Sequence, residues 1–221
     1  MRINHNIPSM VTQGSLFQVN RGMSKTLEKL STGLRINRAS DDAAGLSISE
    51  NLRTQVRGLG MAKRNAQDGV ALLQIAEGAL NEISSILQRM RELSVESAND
   101  TLTSVERTYT NQEFNALRSE IDRIVTSTRY NGQSLLDGLG FGGLGSNSSI
   151  LHIGPNSTAD RDYITIAIRT MTASQDNGLA LSARTLTDQS NALSSIGSID
   201  TALNTVNQSP KDLASYINRL E

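Results

Sequence analysis

The chain has 221 residues, with 21 Lys and Arg against 22 Asp and Glu, no Cys, no Trp, three Phe and four Tyr. A near-neutral balance gives no general argument for nucleic acid or membrane as a partner, and the lack of Cys excludes disulfides, thiolate metal centres and cysteine nucleophiles. Scarce aromatic rings leave Leu, Ile, Val and Ala to fill the interior, which suits narrow helix–helix seams. The charge is uneven along the chain: residues 1–64 carry ten Lys and Arg against four Asp and Glu, and residues 65–221 carry eleven against eighteen. The N-terminal MRINHNIPSM lacks the apolar core of a cleaved signal peptide. On sequence, no stretch approaches the roughly 18 apolar residues that a membrane span needs.

In chain order, Leu16, Val19, Met23, Leu27, Leu30 and Leu34 recur at gaps of three or four, a helical stripe that Gly33 interrupts. Charged residues then crowd LSTGLRINRASDDAAGLSISENLR, residues 30–53, where Ser40 is the expected N-cap of the next helix and Asp41 and Asp42 suit its positive first turn. A second stripe runs through Ile48, Leu52, Val56, Leu59, Ala66, Val70, Leu73, Ala76, Leu80, Ile83, Leu87 and Met90. A helix of that length spans about 80 Å, far more than an ordinary domain of about 30 Å, so the expectation is a rod. SANDTLTS (97–104) supplies turn and cap residues, and a third stripe follows in Phe114, Leu117, Ile121, Ile124 and Thr128. Tyr130-Asn131-Gly132 reads as a helix stop.

Residues 138–148 are Gly- and Ser-rich, and ILHIGPNSTADRDYITIAIRT reads as two short strands around a Gly-Pro-Asn turn, with Ile164, Ile166 and Ile168 alternating toward a core. Helical spacing returns in Leu193, Ile196, Ile199, Leu203 and Val206, and again in Leu213, Ile217 and Leu220. Pro210 between them is expected to kink the helix or to restart it with Ser209 as N-cap. The fold class is mainly α: an elongated helical rod of long antiparallel coiled-coil-like helices with a small β-hairpin element.

No catalytic, cofactor or metal site emerges. GLGFGGLG (138–145) matches a dinucleotide loop in letters, but a helix precedes it and a strand follows, the reverse of what such a loop requires. His5 and His152 have no partner at metal-ligand spacing, and no nucleophile elbow is present. Adjacent Asp41 and Asp42 point in different directions on a helix and do not make an acid/base pair.

Several motifs closely resemble bacterial flagellin: MRINHNI at the start, LSTGLRINRASDDAAGLSISENLRTQVRGL, NAQDGVALLQIAEGALNEISSILQRMRELSVESAN, RYNGQSLLDG, and IDTALNTVNQSPKDLASYINRLE near the end. The resemblance covers residues 1–137 and 196–221. It implies a non-enzymatic structural subunit that polymerises with other flagellin subunits into a motility filament. The protein would be secreted to the extracellular bacterial flagellum through the flagellar export machinery without a cleaved signal peptide, and assembled beneath the filament cap. It would bind no nucleic acid and insert into no membrane. The alternatives are a hook–filament junction protein, similar at its termini, and a non-flagellar helical adaptor.

The resemblance also implies a domain plan. Residues 1–44 would be the inner-core helix, carrying Leu16, Val19, Met23, Leu27, Leu30 and Leu34, and a spoke linker in which Arg35, Arg38, Asp41 and Asp42 pair within the linker and across subunits. Residues 45–221 would be the rod domain, with helices over about 45–98, 105–130 and 193–221 and a β-hairpin region over about 138–180. Relative to the family, the variable outer domains and the C-terminal inner-core helix are expected to be missing. In flagellins that Toll-like receptor 5 recognises, the stretch matching LQRMRELSV and a following glutamate form the receptor surface, which carries over to Arg89, Leu93 and Glu113.

Overall fold

A computed structural model describes residues 6–138, 148–158, 161–174 and 178–220. His5 and, beyond Gly138, the expected Gly-rich loop lie outside the described residues. The expected fold class is found: mainly α, with two small antiparallel strand pairs. Helices are α1 (Ile7–Thr32), α2 (Ala43–Ser97), α3 (Ser104–Ser127) and α4 (Gln189–Leu220). Strand β1 (Arg129–Tyr130) pairs with β2 (Gln133–Ser134), and β3 (Ser148–His152) pairs with β4 (Tyr163–Ala167). Contacts divide the chain into two units, Met1–Arg57 and Gly58–Glu221, with the division inside α2.

In the first unit, α1 opens on Asn6, whose side chain accepts the Ser9 amide, and closes on Gly33 at φ 69°, whose amide returns to the Lys29 carbonyl. Only glycine takes that left-handed position without strain. No residue of α1 is buried. The expected N-cap of α2 is displaced by two residues: Asp42, not Ser40, caps it, its Oδ1 accepting the Gly45 amide at 2.9 Å. A carboxylate there satisfies an orphan donor and meets the positive end of the helix dipole.

The second unit holds the core. On α2, Leu73, Ala76, Leu80, Ile83, Leu87, Met90 and Leu93 are buried at the helical interval. One 18-residue stretch of α2 is in fact apolar enough, at a mean hydropathy of 1.2, to cross a bilayer by length and composition alone. That revises the sequence expectation. Leu72, Leu73, Ala76, Leu80 and Ile83 on the same helix are core residues of this unit, and an apolar core helix passes the same test.

Helix α3 begins with a reciprocal capping box between Thr103 and Glu106 and contributes Phe114, Ile121 and Val125 to the core. Contacts of α2 with α4 link Ala98 to Gln189, Arg91 to Asp200 and Gly69 to Leu220, so rising numbers on one meet falling numbers on the other and the two run antiparallel. The face of α4 that packs inward is Ala192, Ser195, Ile199, Ala202, Val206, Ser209 and Leu213. Leu193, expected on that face, is 58% exposed. Small residues let α4 approach closely, and Leu193 falls one position off the seam.

Two further expectations change. Helix α4 runs unbroken through Pro210, and Ser209 is a buried mid-helix residue whose hydroxyl donates to the Thr205 carbonyl at 3.2 Å rather than an N-cap. Asn131-Gly132 does not end α3, which stops at Ser127 with Thr128 as its cap. Both residues take positive φ, 49° and 78°, and form the tight turn between β1 and β2, the hairpin chemistry of an Asn-Gly pair.

Ile164 and Ile166 of β4, and Ile168 just after it, are buried, and Gly154-Pro155-Asn156 lies in the connection from β3 to β4. Gly69 lets this hairpin sit on α2, because a side-chain carbon there would come within 2.4 Å of Leu151. Asn65 donates to the His152 carbonyl at 3.0 Å beside it.

Replacing Phe114, wholly buried, with Ala should lower the unfolding free energy by about 3–5 kcal/mol. Ile48→Ala, on an exposed part of α2, should change it by no more than about 0.5 kcal/mol. Denaturant unfolding of the two variants measures both; equal losses would contradict this placement of the core.

Candidate functional site

Three surfaces carry the residues singled out from the sequence. The first is the apolar stripe of α1. Leu16, Val19, Met23, Leu27, Leu30 and Leu34 are between 49% and 78% exposed, and Ile48, Leu52 and Val56 at the start of α2 are exposed as well. Isolated exposed Leu is ordinary, but a run at helical spacing marks an interface.

The second surface is the charged linker between α1 and α2. Within the single chain, Arg35 and Arg38 are not paired with Asp41 and Asp42. Lys25 Nζ of α1 lies 2.5 Å from Asp41 Oδ1, and Arg38 Nε donates to Glu28 Oε1 at 3.0 Å. Asp42 is committed to capping α2. Arg35 is exposed and has no carboxylate partner among the described residues. The pairs therefore tie the linker back to α1, because the turn after Gly33 brings Asp41 and Arg38 beside the last turns of that helix. The Lys25 ammonium, hydrogen-bonded to Asp41, holds its carboxyl below the usual carboxylate range; partial burial opposes this, and the Asn37 amide adds to it.

The third surface lies on the second unit. Arg89 Nε donates to Glu113 Oε1 at 2.9 Å and Arg89 Nη1 to Glu92 Oε2 at 3.0 Å, an exposed fork that joins α2 to α3. Glu92 first and then Glu113 hold the guanidinium still more firmly protonated. Leu93 does not share this surface. It is 1% exposed, in the core beside Met90, because it continues the buried interval of α2. A contact residue must be reachable, so of the three residues carried over only Arg89 and Glu113 present themselves.

Periodicity leaves no sign of the polar staples that α3 makes to the segment before α4. Asp122 Oδ1 accepts the amides of Ala173 at 2.8 Å and Ser174 at 3.3 Å, and the carboxylate also takes the Ser174 hydroxyl. Arg118 donates to the Ser182 carbonyl at 3.0 Å, and Asn111 accepts the Leu186 amide at 2.9 Å. Such partners are distant in sequence and leave no periodic trace. Among the described residues, no three His, Cys, Asp or Glu gather as metal ligands.

The Lys25–Asp41 pair stabilises the linker above the ordinary carboxylate pKa of about 3.9, and this contribution is lost as pH falls through the lower value in the folded chain. In Lys25→Met, Asp41 should titrate closer to the ordinary value. An NMR titration of the carboxyl measures it; an Asp41 pKa indifferent to the substitution would mean that Lys25 does not hold the charge.

Residues 3–140 match the family model described as the bacterial flagellin N-terminal helical region. Over 222 aligned residues the chain is 45% identical to a flagellin of Halalkalibacterium halodurans, covering all of this chain and 78% of that one. It is 42% identical to the flagellar filament 33 kDa core protein of Treponema phagedenis, covering all of this chain and 79% of the relative. Among solved structures, Bacillus cereus flagellin superposes with a TM-score of 0.60 at 30% identity, over 72% of this chain and 85% of that one. The helices, their connections and these likenesses agree: the chain belongs to the bacterial flagellin family.

Proposed function

We propose that this chain is a structural subunit of the bacterial flagellar filament, polymerising with copies of itself for motility. The single observation that carries this reading is the stripe Leu16–Leu34: six exposed apolar side chains, five at helical spacing on α1, a helix with no buried residue, and Leu34 just past its Gly33 cap. An isolated helix of this kind is marginal in water, and ordering it costs about 1–2 kcal/mol per residue, so burial against other helices must supply the stability. At about 25 cal/mol per Å² of apolar surface, a polymer that covers the stripe gains what the single chain lacks. In this reading residues 1–44 are the inner-core helix and spoke, and 45–221 form the rod domain. The subunit reaches the cell exterior through the flagellar export machinery and is added beneath the filament cap.

The Arg89–Glu113 fork supports a second role for the free subunit, as a ligand of host Toll-like receptor 5. An exposed arginine whose fork is already oriented by two carboxylates is a suitable anchor for a protein partner. Leu93 contributes from beneath, by holding α2 in place.

Purified chain added to short flagellin filament fragments should extend them into regular filaments, and Leu27→Asp, which places a charge in the stripe, should stop growth while leaving helix content and unfolding of the second unit unchanged. Negative-stain microscopy and circular dichroism read the two. A chain that caps the fragment ends without extending them would instead mark a junction protein. For the receptor, Arg89→Ala and Glu113→Ala should each weaken binding by about 1–3 kcal/mol with the fold intact. Leu93→Ala should cost about 2–5 kcal/mol of stability. Calorimetric binding and denaturant unfolding separate these effects; undiminished affinity in folded Arg89 and Glu113 variants would remove the receptor role from this surface.

A further inference from the structure

The methionines among the described residues differ sharply in how far their sulfurs can be reached. Met90 and Met171 are wholly buried in the core of the second unit. Met10, Met23 and Met61 are 68%, 58% and 52% exposed. An exposed thioether is open to oxidants that transfer one oxygen atom, whereas a close-packed core shields its sulfur from them. Helix α1 is marginal by itself, so Met10 and Met23 are reachable whether or not it is formed.

Of the exposed three, Met23 alone stands in the stripe of α1. At about 100° per residue, Leu16 and Leu27 lie to one side of it and Val19 and Leu30 to the other, all within about 40° of its direction. Met10, on the same helix, stands about 140° away, on the side of Phe17 and before the stripe begins. Met61, on α2, stands about 180° from Leu52 of the exposed stretch Ile48–Val56, and its sulfur faces the Arg64 guanidinium. Met10 and Met61 are thus reachable sulfurs off the stripes, and Met23 is the reachable sulfur at the centre of one.

Oxidation changes what that centre can do. The thioether is apolar and adaptable, while its sulfoxide carries a polar S=O group that accepts hydrogen bonds from water. The four flanking side chains are Leu and Val and offer no donor. Covering the stripe would strip the oxygen of its water and leave it unsatisfied, which the thioether never faces. The step balances without a cofactor. A peroxide gives one oxygen atom to the Met23 sulfur, the sulfur gives up two electrons, the O–O bond breaks and water leaves.

We propose that Met23 is a modification site for two-electron oxygen-donor oxidants of the peroxide class, and that its sulfoxide holds the free chain out of assembly. This rests on the homopolymer reading above and adds to it a chemical control on single copies. A free copy presents Met23 to the oxidant, and a copy whose stripe is covered does not. Enzymatic reduction of the sulfoxide returns the thioether, so the block is reversible.

The full-length chain is treated with dilute hydrogen peroxide, and peptide mass spectrometry should find one added oxygen on Met10, Met23 and Met61 before any on Met90 or Met171. Added to flagellin filament fragments, the treated chain should extend them about tenfold more slowly than untreated chain, with helix content and unfolding of the second unit unchanged. Met23→Leu, a volume-conserving change, should keep its rate within about twofold after the same treatment, although Met10 and Met61 are oxidised. Met23→Gln, which places a polar group of similar length there, should be slow without oxidant. Methionine sulfoxide reductases for both epimers should restore the treated chain that keeps Met23. Met23 left unoxidised while Met10 and Met61 react, undiminished growth of chain oxidised at Met23, equal slowing of treated Met23→Leu, or rapid growth of Met23→Gln would each overturn the site and leave the filament reading standing. If untreated chain extends no fragments, the filament reading fails and the site falls with it.

Discussion

An amphipathic helix must cover its apolar stripe, and the rest of this protein is arranged around where that cover comes from. Helix α2 shows both outcomes on one helix. From Leu73 to Leu93 its stripe is buried by α3, α4 and the β3–β4 hairpin, while Ile48, Leu52 and Val56 are exposed. Helix α1 repeats the exposed condition over its whole length. The second unit therefore has its own core and the stability that comes with one. The first has helical periodicity with no interior, so tertiary packing contributes nothing to it in the single chain.

Closing the second unit takes more than apolar contact. Helix α4 presents Ala192, Ser195, Ala202 and Ser209 to its neighbours, which shortens the approach of the helices but buries little area per residue. Directional contacts supplement the seam. Arg91 reaches Asp200 at 2.7 Å, Gln189 donates to the Ala98 carbonyl, and Ser195 donates to the Thr185 carbonyl. Asp122, Arg118 and Asn111 fasten the segment between β4 and α4 to α3, so its buried Met171, Ala173, Leu179, Leu181 and Leu186 are held by backbone groups as well as by packing. Buried backbone amides that end on side chains in this way meet a requirement that a loop could not meet alone.

Periodicity made most of this fold legible. The intervals from Leu73 to Met90, the pair Phe114 and Ile121, and the alternating Ile164, Ile166 and Ile168 follow directly from the geometry of helix and strand, while buried Val125 lies one position from the Ile124 that the stripe named. Sequence and structure part where two physical rules compete for the same letters. Asn-Gly serves both helix stops and hairpin turns, and the pairing of β1 with β2 decided for the turn. Ser40 and Asp42 are both good N-caps, and the carboxylate nearer the helix won. Leu193 outranks Ala192 in hydrophobicity, but the closeness of α4 to its neighbours selected the smaller residue. The exposed stripe of α1 was legible, and so was the charge of the linker, but its ion-pair partners were not. Those depend on the left-handed turn at Gly33, which sets Lys25 beside Asp41 and Glu28 beside Arg38.

The charge of Arg89 and the burial of Leu93, four residues apart on one helix, divide the labour of one exposed surface. The leucine fixes the helix and the arginine projects from it, oriented by Glu92 and Glu113 before any partner arrives. A side chain positioned in advance loses less freedom on binding, so the same fork is available to any partner that offers complementary groups. On the readings proposed above, a neighbouring copy and a receptor that both used this face would exclude each other. A copy whose α2–α3 face was covered by a neighbour would then be hidden from a receptor, and the population of free subunits would set how much of that face is seen.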